Sequence, residues 1–112
     1  MIHRGEIYWG DFRGAGGAEI RKVRPAVVVS CQDHNSFMQT VTVVPLSSAR
    51  GRVHPQEVSL PAGILGDGRA SRLVTHQLRT VDKKRLGRKF GDLPASLMPA
   101  LEYSLCEHLG LE

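Results

Sequence analysis

Polar side chains that can act on an anion stand at the predicted ends of two buried strands. Arg24 precedes a proline and the uninterrupted apolar run 26–29, and Ser47 and Ser48 follow the β-branched run 40–46. Such runs are typical of strands, and a proline fits the first residue of a strand because it has no amide to donate. A guanidinium fixed at the mouth of a rigid strand can bind an anion through paired donors. The pattern favours an anion site built on Arg24, with a solvated edge arginine as the alternative.

The better-known catalytic patterns are missing from the sequence. It contains no GxSxG elbow, no HExxH and no pair of carboxylates at helical spacing, and its five histidines show no ligand spacing. Cys31 and Cys106 stand far apart and are predicted to be free thiols. No metal site or cofactor is therefore expected. Ordinary side chains would carry any reaction, and Arg24, Ser47 and Ser48 are the best candidates.

The segment 13–22, between the first two predicted strands, is rich in glycine and ends in cations. It lacks the Gly-Lys-Ser/Thr ending of a Walker loop and the GxGxxG of a dinucleotide turn. Two interpretations stay open. The segment is either a mobile lid over a ligand or a plain long hairpin loop.

Positive charge is concentrated in predicted loops. The sequence has 15 Lys and Arg against 11 Asp and Glu, a formal charge of +4. The loop cations are Arg13, Arg21, Lys22, Arg24, Arg50, Arg52, Arg69 and Arg72, followed by Arg79, Lys83, Lys84, Arg85, Arg88 and Lys89. Converging loops would present a positive surface to a polyanion such as nucleic acid, although charge alone does not establish that partner. With three Phe, two Tyr and one Trp, no aromatic stacking platform is expected.

The order of the predicted elements indicates one mainly β domain spanning residues 1–112. Strands are predicted at 6–12, 25–29, 40–46 with Pro45 at its end, 53–60 with a break at Pro55, and 71–82, where regular alternation would put Gln77 and Arg79 on one face. A polar turn is predicted at 31–36, a basic turn at 83–88, and a helix through Leu97, Leu101, Leu105 and Leu109, with Ser96 as N-cap and Gly110 as stop. Five or six short strands before a helix indicate a small twisted barrel or sandwich with the helix across one opening. No signal peptide or membrane-spanning run is present, so a cytoplasmic location without membrane contact is expected.

Four blocks of sequence occur in an order and at a spacing that are familiar from one family. They are Arg4–Trp9, Val23–Ser30, Val43–Ser48 and Gln77–Gly87, and the closing Leu109–Leu111 is also similar. Together they resemble the MazF/PemK toxin family over nearly the whole chain. The resemblance implies an SH3-like β-barrel of the CcdB/MazF toxin type with a C-terminal α-helix. It also implies a homodimeric, metal-independent endoribonuclease, the toxin of a type II toxin-antitoxin system, restrained by a cognate antitoxin.

The same resemblance implies the site residues. The family's arginine of the Arg-Pro step matches Arg24, and the hydroxyl residue that ends its Pro-Leu-Thr/Ser block matches Ser47. Substrate-binding positions are expected at Glu19, Arg21, Lys22, Ser48, Gln77 and Arg79. Ala18 stands where many members have serine, so the resemblance leaves the loop contacts and the cleavage sequence open.

The implied chemistry agrees with these residue types. In single-stranded RNA a 2′-hydroxyl can attack the adjacent phosphorus, so the protein need supply only alignment and charge. Arg24 would stabilise the phosphorane oxygens, with protonation of the leaving oxygen as a further role, and Ser47 would hydrogen-bond the phosphate or the 2′-hydroxyl. DNA lacks that hydroxyl and should be inert. Two alternatives remain: a CcdB-like toxin that inhibits DNA gyrase without needing Arg24 or Ser47, and a barrel that only binds RNA or protein.

Overall fold

β-strands dominate the computed structural model, which describes residues 1–48, 51, 54–66 and 68–111. The strands are β1 Glu6–Asp11, β2 Val23–Val28, β3 Thr40–Ser48, β4 Val58–Leu60, β5 Ser71–Leu73, β6 Arg79–Asp82 and β7 Leu86–Asp92. The α-helices are α1 Gln32–Phe37 and α2 Met98–Leu109, and 3₁₀ turns cover Thr75–Gln77, Lys83–Arg85 and Ala95–Leu97. The predicted cations Arg50 and Arg52 lie outside the described residues.

The strands form one antiparallel sheet in the order β4-β5-β3-β2-β1-β7, and β6 pairs with the first half of β3. β3 is the longest strand and pairs in turn with β6, β2 and β5. Within the described residues the sheet does not close into a barrel. The predicted mainly β fold with a C-terminal helix is confirmed, and an open sheet takes the place of the closed barrel.

Side chains from β2 enter both of the apolar cores. Val27 packs with Ile7, Val44 and Leu101 of α2 on one face of the sheet. Ala26 and Val28 pack with Phe12, Val41, Val43 and Val81 on the other face. All three β2 residues are fully buried, which explains why their run of sequence has no polar alternation. The strand that carries Arg24 is therefore fixed from both sides.

The path of β3 differs from the prediction, because the strand continues through Pro45 to Ser48. Pro45 pairs with Ala26 of β2, whereas the next residue, Leu46, pairs with Leu73 of β5. The proline stands where β3 changes neighbours, so its missing amide donor breaks no continuous ladder. The extension matters for the site, because it keeps Ser47 on a strand.

Other segments also depart from the sequence predictions. The polar turn 31–36 is largely the short helix α1, and only 58–60 of the predicted strand 53–60 is described as a strand, with residue 53 outside the described part. The segment 71–82 is two strands separated by the turn Thr75–Gln77, so Gln77 and Arg79 do not share a regular strand. Residues 86–92, predicted in part as a basic turn, form strand β7 against β1.

The C-terminal helix agrees with its leucine pattern, but it begins differently. Leu97 is the N-cap residue without a side-chain cap, and the predicted cap, Ser96, lies inside the preceding 3₁₀ turn. Pro99 occupies the first turn, where a proline is tolerated, and Gly110 ends the helix as predicted, with a φ of 71°. Neither this helix nor any other in the described part of the chain has the length and apolar character needed to cross a membrane.

Candidate active site

Arg24 and Ser47 lie near the same end of two paired strands. The β2–β3 ladder runs from Val28 and Val43 to Ala26 and Pro45, so each of the two residues follows two positions beyond the last pair of the ladder. Both residues line two adjoining pockets, of about 160 Å³ and 300 Å³. The structure therefore joins the two side chains that the sequence predicts as catalytic.

The Arg24 guanidinium is available to a ligand. Arg24 lies near the start of β2, opposite Gly10 of β1, and is half-buried. Its side chain makes no hydrogen bond or ion pair with any residue that the structure describes. A guanidinium offers five N–H donors in a rigid fork that matches phosphate oxygens. The position is that of an anion-binding side chain rather than of a structural ion pair.

An aromatic pair forms one wall of the smaller pocket. Trp9 of β1 and Phe90 of β7 meet edge to face, with ring centroids 5.5 Å apart and planes at 76°. Ser48, at the exposed end of β3, lines the same pocket, as does Arg69. The small number of aromatic residues predicts no aromatic platform, whereas strand β7, which the sequence does not predict, brings Phe90 to Trp9. An apolar wall beside an arginine suits a nucleobase and its phosphate.

The larger pocket is lined by the residues of the glycine-rich loop that are predicted to bind substrate. Glu19, Arg21 and Lys22 line it together with Arg24 and Ser47. Three cations around one carboxylate give this pocket a net positive charge, which favours a polyanion. The structure thus places these five predicted residues around one cavity, and the loop-borne ones lie in the segment that leads into β2.

Gln77 and Arg79 occupy a different position from the other predicted residues. They line a third pocket, of about 270 Å³, which shares Glu19 with the larger pocket. The Gln77 side chain is bonded to the backbone of the glycine-rich loop at Ala18 and Ile20. The Arg79 guanidinium also donates to the Ile20 carbonyl, so polar atoms of both side chains contact the protein's own loop.

A buried ion cluster supports the strand next to Ser47. Arg72 of β5 is the cross-strand neighbour of Ser47. The Glu57 carboxylate, only 5% exposed, accepts a hydrogen bond from Arg72 Nη1 at 3.2 Å and lies 3.1 Å from His76 Nε2. Buried charges of this kind persist when they are paired and hydrogen-bonded. The cluster joins β5 to the turn that carries Gln77.

Two carboxylates at the ends of β1 are held ionised. Burial acts to raise the pKa of Glu6, but hydrogen bonds from Lys89, the His3 amide and Tyr8 outweigh it and lower that pKa to about 2. Hydrogen bonds from the Arg13 side chain and amide lower the pKa of Asp11 to about 2. Both carboxylates are committed to structural contacts, and neither lines the pockets shared by Arg24 and Ser47. Among the described residues, moreover, no three His, Cys, Asp or Glu side chains are grouped so as to hold a metal ion.

Comparison with protein families identifies the class of protein to which this fold belongs, a toxin of type II toxin-antitoxin systems. The family of PemK-like, MazF-like toxins of type II toxin-antitoxin systems matches residues 3–109, and the chain belongs to this family. The predicted family membership is confirmed.

Individual proteins are similar to this chain over nearly their whole lengths, which agrees with the family assignment. The chain is 34% identical to an endoribonuclease MazF9 of Mycobacterium tuberculosis, over 99% of this chain and 98% of the relative. The crystal structure of MazF from Deinococcus radiodurans superposes with a TM-score of 0.84 at 26% identity, covering 98% of this chain and 97% of that one. A mycobacterial endoribonuclease in complex with its cognate antitoxin gives a TM-score of 0.80 at 25% identity, covering 100% and 98%.

Proposed function

We propose that this toxin is an endoribonuclease that cleaves single-stranded RNA, such as mRNA, at specific sequences and without a metal ion. The observation that carries the proposal is that Arg24 and Ser47 line the same two pockets, and that the Arg24 guanidinium makes no hydrogen bond or ion pair with the described residues. The endoribonuclease name of a relative with 34% identity over almost the whole chain supports the same activity.

The proposed reaction uses a nucleophile that belongs to the substrate. The 2′-oxygen attacks the adjacent phosphorus, the phosphorus–O5′ bond breaks, and the 2′-hydroxyl proton passes to a base or to water. The departing O5′ takes up a proton, so the products are a 2′,3′-cyclic phosphate and a 5′-hydroxyl. Negative charge builds on the non-bridging oxygens during the attack, and a preorganised guanidinium is suited to stabilise it. Arg24 has this role, and it is also the candidate proton donor to O5′.

Ser47 has the second role, because it lines both pockets together with Arg24. A serine hydroxyl can donate to a phosphate oxygen or accept from the 2′-hydroxyl, which holds the attacking oxygen in line with the leaving oxygen. Arg21 and Lys22 contribute positive charge to the flanking phosphates in the larger pocket. Glu19 and Ser48 are proposed as substrate contacts at the two sides of the pair.

The pockets suit unpaired nucleotides better than a duplex. The smaller one, about 160 Å³ and walled by Trp9 and Phe90, can admit a single unstacked base. Protein recognition of RNA sequence depends mostly on such splayed bases, because the major groove of an RNA duplex is too narrow to be read. A single-stranded substrate is therefore proposed.

The test is an assay of end-labelled single-stranded RNA incubated with the protein in excess EDTA. We expect discrete fragments from the wild type and a rate at least about a hundredfold lower from Arg24→Ala. Activity that EDTA abolishes and a divalent ion restores would overturn the metal-independent mechanism. Intact RNA together with inhibition of DNA gyrase would favour the CcdB-like alternative, and RNA binding without fragments would favour the binding module.

We further propose that the toxin is a cytoplasmic homodimer whose positive pockets are covered by an acidic, largely disordered segment of a cognate antitoxin. A surface that holds RNA phosphates also attracts carboxylates, and a disordered chain can cover it broadly. The antitoxin complex named for a mycobacterial neighbour supports this partner class. RNA and antitoxin should compete, so cleavage that continues under a saturating antitoxin peptide would contradict a shared site. Light scattering of the isolated toxin tests the dimer.

A further inference from the structure

Two side chains hold the glycine-rich loop, residues 13–22, against the turn before β6 and against β6 itself. Gln77 Oε1 accepts a hydrogen bond from the Ile20 amide at 2.8 Å, and Gln77 Nε2 donates to the Ala18 carbonyl at 2.9 Å. Arg79 Nη1 donates to the Ile20 carbonyl at 3.2 Å. The side chains of Gln77 and Arg79 therefore replace the backbone ladder that the loop lacks at this point.

The hydrogen-bond capacity of Gln77 is almost filled by these contacts. Its Oε1 also accepts from Arg79 Nη2 at 3.1 Å, so both lone pairs of the amide oxygen are used. The orientation of the amide is fixed, since a flip would set its NH₂ against two donors and its oxygen against the Ala18 carbonyl. Gln77 retains one N–H and no acceptor for a nucleobase.

Arg79 is engaged in a similar way. Besides its bonds to Ile20 and to the Gln77 side chain, its guanidinium lies 4.6 Å from the centroid of the Phe12 ring. Phe12 in turn folds over Gly10, where a β-carbon would lie only 2.8 Å from the ring. Bidentate binding of a phosphate by Arg79 would have to break the bonds that hold the loop.

The held part of the loop lies next to the residues proposed to contact RNA. Glu19 stands between the two bonded residues Ala18 and Ile20, and Arg21 and Lys22 follow directly. All three line the pocket shared by Arg24 and Ser47. A change in the position of the loop would move three polar side chains relative to the catalytic pair.

We propose that Gln77 and Arg79 are positioning residues that act through the loop. Their hydrogen bonds to Ala18 and Ile20, here called the clamp, would determine which phosphate of the RNA reaches Arg24. This inference rests on the proposed RNA-cleaving function. It assigns to Gln77 and Arg79 a part in cleavage-site selection without direct contact with the substrate.

Two variants separate this role from direct contact with RNA. Gln77→Met keeps the length of the side chain and removes its hydrogen bonds, and Arg79→Lys keeps the charge and removes the fork. Arg88→Lys, at an exposed arginine of β7, is the matched control for Arg79→Lys. Limited trypsin cleavage after Arg21 and Lys22, identified by mass spectrometry, measures loop opening without reference to RNA.

The clamp predicts faster tryptic cleavage in both variants, by about five- to tenfold for each lost hydrogen bond, and no change in the control. For RNA, it predicts a kcat lower by about tenfold and a more even distribution of cleavage among sites. Gln77 and Arg79 contribute no phosphate contact of their own in this proposal, so any weakening of affinity for a substrate analogue that lacks the 2′-hydroxyl at the scissile nucleotide should follow the extent of loop opening measured with trypsin.

Several results would overturn the inference. A loop protected as in the wild type, combined with tenfold weaker RNA binding, would make Gln77 and Arg79 direct contacts. An opened loop with unchanged kcat and unchanged sites would remove the role in cleavage. If the wild type leaves RNA intact, the proposed function fails, and positioning for cleavage fails with it. If the wild type cleaves RNA but the two variants are cut by trypsin at the wild-type rate, only the clamp is overturned.

Discussion

Two arginines of this chain should separate catalysis from stability when each is replaced by alanine. The Arg24 side chain makes no hydrogen bond or ion pair within the described residues and shares its pocket with the cations Arg21 and Lys22. Its removal therefore costs little intramolecular energy, less than about 0.5 kcal/mol of unfolding free energy. Arg4, by contrast, donates from Nε to the Val29 carbonyl at 2.9 Å and lies 3.1 Å from the Glu102 carboxylate.

The two variants should affect different properties, the cleavage rate in one case and the stability in the other. Arg24→Ala loses a preorganised donor to developing charge, which is worth on the order of 3 kcal/mol, a factor of about a hundred or more in rate. Arg4→Ala loses one hydrogen bond and a half-exposed ion pair, about 1–2 kcal/mol of stability in total. That loss corresponds to a melting temperature lower by roughly 4–8 °C per kcal/mol for a domain of this size.

The assay measures the RNA cleavage rate and the thermal midpoint of the wild type and of both variants. We expect Arg24→Ala to melt normally and to be nearly inactive, and Arg4→Ala to melt early and to cleave at the normal rate below its midpoint. An Arg24→Ala protein that melts normally and cleaves at the wild-type rate would remove Arg24 from the site. Activity lost only in proportion to stability would make Arg24 a structural residue.

Three further predictions follow from named contacts. Ser47→Ala should lower the cleavage rate by about five- to tenfold through the loss of one neutral hydrogen bond, and Ser47→Thr should retain activity; equal losses in both would mean that shape, not the hydroxyl, matters. Glu6→Gln should reduce the unfolding free energy measured in urea by about 2 kcal/mol at neutral pH, because the folded-state pKa of Glu6 is about 2, below its ordinary value of 4.5. That stabilisation is complete above pH 4.5 and is lost as the pH falls toward 2, so a difference that persists unchanged at the acid end would refute the assignment to Glu6. Glu57→Gln should destabilise the protein by roughly 2–4 kcal/mol, since it leaves Arg72 without its buried carboxylate; a normal urea midpoint would show that the pair contributes little.

Much of the fold could be predicted, because strong local patterns determine it. The apolar run of β2 has no polar alternation, since it is buried on both faces, and the leucines of α2 recur at helical spacing with Gly110 at the end. The elements that the sequence did not predict are those with weak local patterns, whose structure depends on tertiary contacts. β7 shows few apolar residues because it pairs with β1 while leaving much of its own length half-exposed. α1 is mostly polar and covers fewer than two turns.

The candidate site was predictable to a similar extent. Arg24 and Ser47 stand beside runs that define their strands, so their meeting follows once the two strands are paired. The aromatic wall was not predictable, because Phe90 belongs to the missed strand. The loop contacts of Gln77 were not predictable either, because its hydrogen bonds to Ala18 and Ile20 span a sequence separation of more than fifty residues. Contacts of that range depend on the folded topology rather than on any local pattern.

The central claim is that the protein cleaves RNA by aligning a 2′-hydroxyl with the phosphate held by Arg24. The most direct measurement compares an oligoribonucleotide that the protein cleaves at one bond with the same molecule carrying a 2′-deoxy sugar immediately before that bond. Mass spectrometry should show a 2′,3′-cyclic phosphate and a 5′-hydroxyl from the first and no cleavage at that bond in the second. Cleavage of the substituted molecule at the same bond and rate, or fragments that end in a 5′-phosphate, would contradict the mechanism.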